Sequence, residues 1–358
     1  MTVQPRSVAE LQDAVRTHDH LKIRGGGTKS AAANGAGHVT LDMSGLSGIL
    51  EYSPDECVFT ALPGTTLRDI KTELAAHGQY LPFDPPLVDA GATIGGTVAA
   101  GVSGSGRYRY GGVRDFVIGA RVVDGEGRLI HSGGKVVKNA AGFLLHHGMV
   151  GSLGTFGVLA EITFKVFPSP EARVTVRMQC ASLPYACDTL HALERARFDL
   201  AAIDFDETGM LWTRVAGRAD ALAARVERLQ HIVPWPSDVL DTAEDEQFWS
   251  DAREFRWADP ESALVKVPIS DPSVVGLGSF RRRSGQVSRA VRYACGGSVA
   301  WAAVEDPAAF STPLANANLR GQIVRGENAG TIIGSIARNA FEERVRRVLD
   351  ARSRFSRD

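Results

Sequence analysis

The chain has 358 residues, 44% apolar and 23% charged, which suits two domains with real cores. Its 41 acidic and 40 basic side chains nearly cancel, which excludes a globally basic nucleic-acid binder and an acidic tail. Cys57, Cys180, Cys187 and Cys295 form no C-x-x-C pair, so neither a disulfide framework nor a zinc or iron–sulfur knuckle is expected.

The N-terminal stretch has no apolar core and no long apolar run occurs, so a soluble protein of a reducing compartment with no transmembrane segment is expected. Ser7 and Glu10 read as a capping box opening a helix, with Val8, Leu11 and Val15 at helical spacing. A strand, Leu21–Ile23, runs into Arg24-Gly25-Gly26-Gly27-Thr28-Lys29-Ser30, and a second, Val39–Leu41, ends near Asp42. Glu51-Tyr52 and Cys57–Thr60 read as a hairpin around Pro54. Thr66 caps a helix carrying Leu67, Ile70, Leu74 and Ala75 on one face, stopped by Gly78. Residues 91–157 then hold 18 of the 38 glycines. Runs such as Val117-Ile118, Val122-Val123 and Val136-Val137 break up the glycines and look like strands, so this is not a flexible linker. Ordered backbone that dense in glycine makes tight turns or approaches a ligand closely.

Pro168 and Pro170 mark a boundary, giving domains at 1–170 and 171–358. Beyond them come strand candidates Arg173–Met178, Ala201–Phe205 and Ala263–Val267, a helix over Ala219–Ile232, and an Arg-rich helix from Ala340 to Ala351. The order of elements indicates α+β, because regular alternation of helices with long parallel strands is missing.

Three segments carry candidate chemistry. Arg24–Ser30 is a strand feeding a triple-glycine turn, either a plain turn or an anion-binding nest of amides. It satisfies neither the G-x-G-x-x-G nor the P-loop spacing. Gly91–Gly96 and the run to Gly104 hold small residues at nearly every position. They read as a tightly packed corner or as the second side of a diphosphate grip, with Thr93 and Ser103 as hydroxyl donors. Lys135–Phe143 with Val150–Val158 has glycines three apart, which permit approach to a flat ring.

In this order the segments resemble the FAD-binding domain of the vanillyl-alcohol oxidase type, also called PCMH-type. The motifs are "RGGG", "TIGG", Tyr110-Gly111-Gly112-Val113-Arg114-Asp115 and the closing "GSLGTFGVLAEITFKV". A closer resemblance, through "GGKVVKNAAGF…MVGSLGTFGVLAEITFKVFPSP", is to the FAD-binding E subunits of bacterial glycolate oxidases. The resemblance implies a PCMH-type domain of two α+β subdomains followed by a smaller, ferredoxin-like, α+β FAD-linked oxidase C-terminal domain. It implies FAD held by Arg24, Gly25, Gly26, Gly27, Thr28, Lys29, Pro85, Gly91, Thr93, Ile94, Gly95, Gly96, Ser103, Gly104, Gly111, Gly157 and Val158. Members that bind FAD covalently carry His where Thr28 stands, so non-covalent FAD is implied. Ala141-Gly142-Phe143 departs from the usual "AGYDL", and Asp350 with Phe355 is all that remains of the usual closing motif.

Catalytic relatives that oxidise 2-hydroxy acids carry a C-terminal His pair, whereas no His follows His231 here. His18 and His20 read as an exposed turn, and adjacent His146 and His147 do not form a chelating pair on a helix. The expectation is therefore an FAD-binding subunit that carries electrons from glycolate-to-glyoxylate oxidation toward a quinone. Its partners would be a catalytic D-type flavoprotein and an iron–sulfur subunit, cytoplasmic or peripheral at the inner membrane through them. A self-sufficient oxidoreductase and a scaffold subunit are the alternatives. Arg281–Arg283 with Arg289 and Arg292 read as a solvated face or an acidic partner's docking surface.

Overall fold

The computed structural model describes residues 1–29, 38–134, 144–270, 290–326, 331–336 and 340–355. Ser30, Lys135–Phe143 with Val136-Val137, Arg281–Arg283 and Arg289 lie outside the described residues.

Local signals in the first part of the chain act much as expected. Ser7 caps α1 (Val8–Thr17), its Oγ accepting from the Glu10 amide at 3.2 Å, while Glu10 accepts from the Arg6 amide. β1 (Thr2–Val3), β2 (Leu21–Arg24) and β3 (Val39–Asp42) form a parallel sheet in the order β1-β3-β2. β4 (Ile49–Ser53) and β5 (Val58–Ala61) make the hairpin. Thr66 caps α2 (Leu67–Ala76), which buries Leu67, Ile70 and Leu74, each worth about 1.5–3 kcal/mol of apolar burial. Ala75 is exposed instead. After β6 (Gln79–Tyr80) come α3 (Ile94–Ala100), α4 (Arg107–Tyr110), β7 (Val117–Val123), β8 (Leu129–Gly133), α5 (Leu145–Gly148), β9 (Val158–Lys165) and β10 (Phe167–Pro168).

An antiparallel sheet ordered β4-β5-β9-β7-β8 is the scaffold of this region. Strand alternation gives it two apolar faces. Phe59, Ile162 and Phe164 pack with α2 and α3 on one side. Val123, Val158 and Ala160 pack with Leu11, Val15 and the parallel sheet on the other.

The later residues supply β11 (Ala172–Gln179), α6 (Leu183–Arg195), β12 (Ala202–Asp206), β13 (Met210–Gly217), α7 (Leu222–Ile232), β14 (Ser237–Val239) and α8 (Thr242–Glu254). Then follow β15 (Ala263–Pro268), β16 (Ala290–Ala294), β17 (Val299–Val304), α9 (Pro307–Asn316), β18 (Arg320–Arg325), β19 (Ile332–Gly334) and α10 (Ala340–Leu349). The order β14-β11-β13-β12 is that of a ferredoxin-like unit, and the same sheet continues through β16-β17-β15-β18-β19 to nine strands. Both faces are covered, so β17 is buried at every position: Trp301 and Ala303 face the first region, Ala300 and Ala302 face α6, α7 and α9.

The sheet grips the first region through polar contacts. Lys266 Nζ donates to the Gly101 carbonyl at 2.7 Å, and Gln322 Nε2 donates to the Ala100 carbonyl at 3.1 Å. Asp204, fully buried, accepts from Ser105 Oγ at 2.6 Å and from the Cys295 amide at 3.2 Å. From α8, the Glu254 carboxylate accepts from the amides of Asp89 and Ala90 at 3.0 and 3.3 Å, and Arg253 pairs with Asp84 at 3.4 Å. The last described residues return to the N-terminal elements: Phe355 bridges to Leu21, and Asp350 accepts from the Arg354 and Phe355 amides.

Burial pushes the Asp204 carboxyl up from 3.8 to about 6, against the pull of Arg292. Ionising it therefore costs stability: its contribution is intact below its ordinary value and is lost as pH rises through about 6. Urea unfolding should show the Asp204→Asn variant gaining stability relative to wild type between pH 4 and pH 6 (about the span between those two values). A pH-independent difference would contradict this.

Candidate functional site

β2 delivers Arg24 to the mouth of the triple-glycine turn, where its guanidinium pairs with Asp42 on neighbouring β3 at 3.1 Å. The turn then runs in backbone contact with the second glycine segment. A Cβ on Gly26 would lie 2.1 Å from the Gly91 carbonyl oxygen, and one on Gly25 would lie 2.4 Å from Thr93 Oγ1. Gly27 bends the chain back with φ 69°.

The second segment differs from the expected nest. Thr93 caps α3, its Oγ1 accepting from the Gly96 amide at 3.3 Å. The Ile94 and Gly95 amides donate to the Thr65 and Pro63 carbonyls, both at 2.9 Å. These amides are spent inside the fold, and Gly95 is glycine because a Cβ would strike Pro63 at 2.6 Å. The Gly26 and Gly27 amides, by contrast, meet no acceptor among the described residues.

The third wall is the turn before β9. The Leu153 amide donates to the Ala99 carbonyl at 2.8 Å, and Gly157 backs onto Val122 and Val123. The three walls enclose a cleft of about 70 Å³ that Gly25, Gly95, Gly96, Ser152, Gly157 and Val158 help to line. At Gly96 an added Cβ meets only Thr93 Oγ1 at 3.1 Å, so a side chain there would take cleft space rather than break packing. Half-buried Lys29 follows the triple glycine, and burial pushes its amine down to about 8 while Glu254 pulls it up.

Several expected residues stand elsewhere. Pro85 lines a second, larger cleft. Ser103 Oγ accepts from the Val113 amide at 2.9 Å, which ties two loops together. A Cβ on Gly104 would meet the Asp84 carbonyl at 2.1 Å, and Gly111, φ 87°, turns against Asp115. Thr28 Oγ1 accepts from Lys29 Nζ at 3.3 Å. Arg292 is withdrawn from any solvated patch: it is buried, its guanidinium 4.5 Å and 4.8 Å from the Phe248 and Trp212 ring centres. His146 is buried with Nδ1 2.9 Å from Ser132 Oγ, and burial pushes it down to about 4, with His147 beside it adding to the shift. Glu254, Lys266 and Gln322 have no motif around them in the sequence, and only their contacts reveal them.

Two glycine amides that meet no acceptor among the described residues, a glycine-lined cleft, and a lysine two residues past the turn suit a diphosphate whose flanking groups lie flat against backbone. The residues present fit the pyrophosphate of a dinucleotide. Fold and cleft together suit a dinucleotide-binding protein whose glycine cleft is built by residues of the first region.

Residues 1–133 match the family model of the FAD binding domain. The match supports FAD as the cofactor of this part of the chain, which is similar to the FAD-binding domains of that family. The Escherichia coli glycolate oxidase subunit GlcE is 36% identical over 220 residues, 62% of this chain and 62% of that protein. The Bacillus subtilis glycolate oxidase subunit GlcD is 31% identical over 209 residues, 57% of this chain and 44% of that one. The matches thus span less than two thirds of these curated relatives. Among solved structures, an alkyldihydroxyacetonephosphate synthase shares the fold, with TM-score 0.71, 15% identity, and coverage of 98% of this chain and 74% of that one.

Gly96→Val should lose FAD while the apo protein melts near wild type, whereas Gly26→Val and Gly95→Val should also lower apo melting. Equal melting losses in all three would refute the assignment of Gly96 to the cleft. A bound diphosphate must raise the Lys29 pKa, so FAD affinity should be level below pH 8 and fall as pH rises above it. Titrations of the Lys29→Met variant should show weaker binding, by about tenfold, and no such fall.

Proposed function

We propose that this chain is the FAD-binding subunit of a glycolate oxidase-like complex, passing electrons from 2-hydroxy acid oxidation toward a quinone-type acceptor. The observation that carries the proposal is the 36% identity to GlcE, named as a glycolate oxidase subunit. Residues 1–170 form its FAD-binding domain and 171–358 its cap and partner-docking domain. A catalytic D-type flavoprotein and an iron–sulfur subunit are its partners, and any membrane association comes through them. None of its described helices is long and apolar enough to cross a membrane.

When bound, the flavin supplies reversible two-electron and one-electron chemistry. The chain's own residues do the holding: the Gly26 and Gly27 amides and Lys29 bind the diphosphate, and Glu254 holds the Asp89–Ala90 backbone beside it. Thr28, standing where covalent members have His, leaves the cofactor dissociable.

Direct oxidation of a hydroxy acid needs a base poised near working pH. No His follows His231. Over Ser103–Ser105, where the C-terminal sheet packs, the remaining gap is only about 20 Å³. Both facts support an accessory role over a self-sufficient enzyme.

Acid denaturation should release the flavin intact into the supernatant, and yellow colour in the pellet would contradict the Thr28 argument. The isolated chain should bleach with glycolate or D-lactate very slowly or not at all under anaerobic conditions. Co-expression with D-type and iron–sulfur subunits should give co-purification and dye-linked turnover. Rapid bleaching of the isolated chain by glycolate would overturn the accessory role.

A further inference from the structure

Between the two regions lies a cleft of about 820 Å³, in the range of small-molecule sites and sharing no lining residue with the glycine cleft. Its walls come from α2 and β6 on one side and from β11, β13 and α8 on the other. The space is made by small residues: Ala75, Ala201, Ala202, Ala216 and Ala243 line it, and the strand register sets Ala202 beside Arg214 and Ala216 beside Arg173.

Aromatic rings and cations converge there. Tyr80 and Tyr110 meet edge to face with centroids 6.3 Å apart, and the Arg173 guanidinium lies 5.2 Å from the Tyr80 ring centre. Buried Trp249 donates to Thr175 Oγ1 at 2.7 Å, and Thr175 donates to Asp245, which also pairs with Arg214. The Arg214 Nε is buried and has no hydrogen-bond partner among the described residues. Arg253 is paired with Asp84, but Arg173 and Lys71 meet no carboxylate within 4 Å among the described residues. Of the lining acids, Asp84 and Asp89 pair with arginines, and Glu246 meets no cation within 4 Å among the described residues. The rings, with Arg173 stacked on Tyr80 and with Lys71 facing Asp84 and Asp89 only beyond ion-pair distance, suit a ligand that is flat and negatively charged.

We propose that this interdomain cleft is a second ligand site, taking a planar aromatic anion held by the Tyr80–Tyr110 rings and by Arg173 and Lys71. The anion can be a nucleotide phosphate or an aromatic carboxylate, since both present a ring and a charge at one end.

Calorimetry on FAD-loaded protein, with flavin occupancy read from its visible absorption, tests this with AMP and 2-naphthoate as probes. Adenosine and 2-naphthol are the uncharged controls. At least one anion should bind, about tenfold tighter than its uncharged control, and Arg173→Ala should remove that advantage. Tyr80→Leu should weaken the charged and uncharged probes alike. AMP binding alone identifies a nucleotide site, and 2-naphthoate alone a carboxylate site. No binding by either anion, equal affinity for the uncharged controls, or binding indifferent to Arg173→Ala and Tyr80→Leu would overturn the proposal. Displacement of FAD by the probe would also overturn it, by placing the probe in the flavin's own path. Failure to load FAD at all would count against the flavin reading and not against this cleft, which the apo protein would still present to the same probes.

Discussion

The contact on which this molecule depends is made between two backbones. The α-carbon of Gly26 faces the Gly91 carbonyl so closely that even a methyl group would lie 2.1 Å from the oxygen. That contact fixes where the triple-glycine turn stands relative to α3, and so fixes the walls of the cleft. It also explains why glycine is tolerated here despite its entropy cost of roughly 0.5–1 kcal/mol per ordered residue. Any side chain would separate the two turns and open the cleft. The glycine requirement is thus first a packing requirement, and ligand access follows from it.

The second constraint is the polar seam between the nine-stranded sheet and the loops that flank α3. Glu254 and Arg253 hold the loop entering the Gly91–Gly96 segment, and Lys266, Gln322 and Asp204 hold the loop leaving it. A buried amine or carboxylate is expensive unless paired, and each of these is paired across the seam. Burial, and then Arg107, push the Lys266 amine down to about 8. Holding both ends of one segment from the other region limits how far the cofactor turn can move independently of the sheet.

Much of the fold was legible because local signals and tertiary demands agree. The Ser7 and Thr66 caps act as read, and the hairpin at Pro54 and the three strands expected at Arg173–Met178, Ala201–Phe205 and Ala263–Val267 fall within a residue or two of expectation, while the other later strands were not read. The ferredoxin-like order of β11 to β14 was legible only through resemblance, and its continuation through five more strands was not, because strand adjacency leaves no local mark. At the site, the glycine motifs marked the place but not the division of labour. Gly95 and Gly26 look equivalent in sequence, yet Gly95 makes room for Pro63 while the Gly26 amide meets no acceptor among the described residues. Arg292 looked like surface charge because its cover, Trp212 and Phe248, lies some 80 and 44 residues away in sequence.

The seam also bears on the accessory role proposed above. A self-sufficient hydroxy-acid enzyme must admit its substrate between the ring and a roof that clamps the carboxylate. Here the sheet comes down on Gly101 through Lys266 and on Gly104 through Cys295, whose Sγ lies 3.3 Å from the Gly104 carbonyl. What remains beside Ser103–Ser105 is about 20 Å³, close to the space of one water and too small for a two-carbon acid. Opening it would require breaking the Asp204 and Lys266 contacts together, exposing two groups whose burial they compensate. That packing accords with the accessory role, and the open space between the two regions lies instead in the cleft lined by Tyr80, Tyr110 and Arg173.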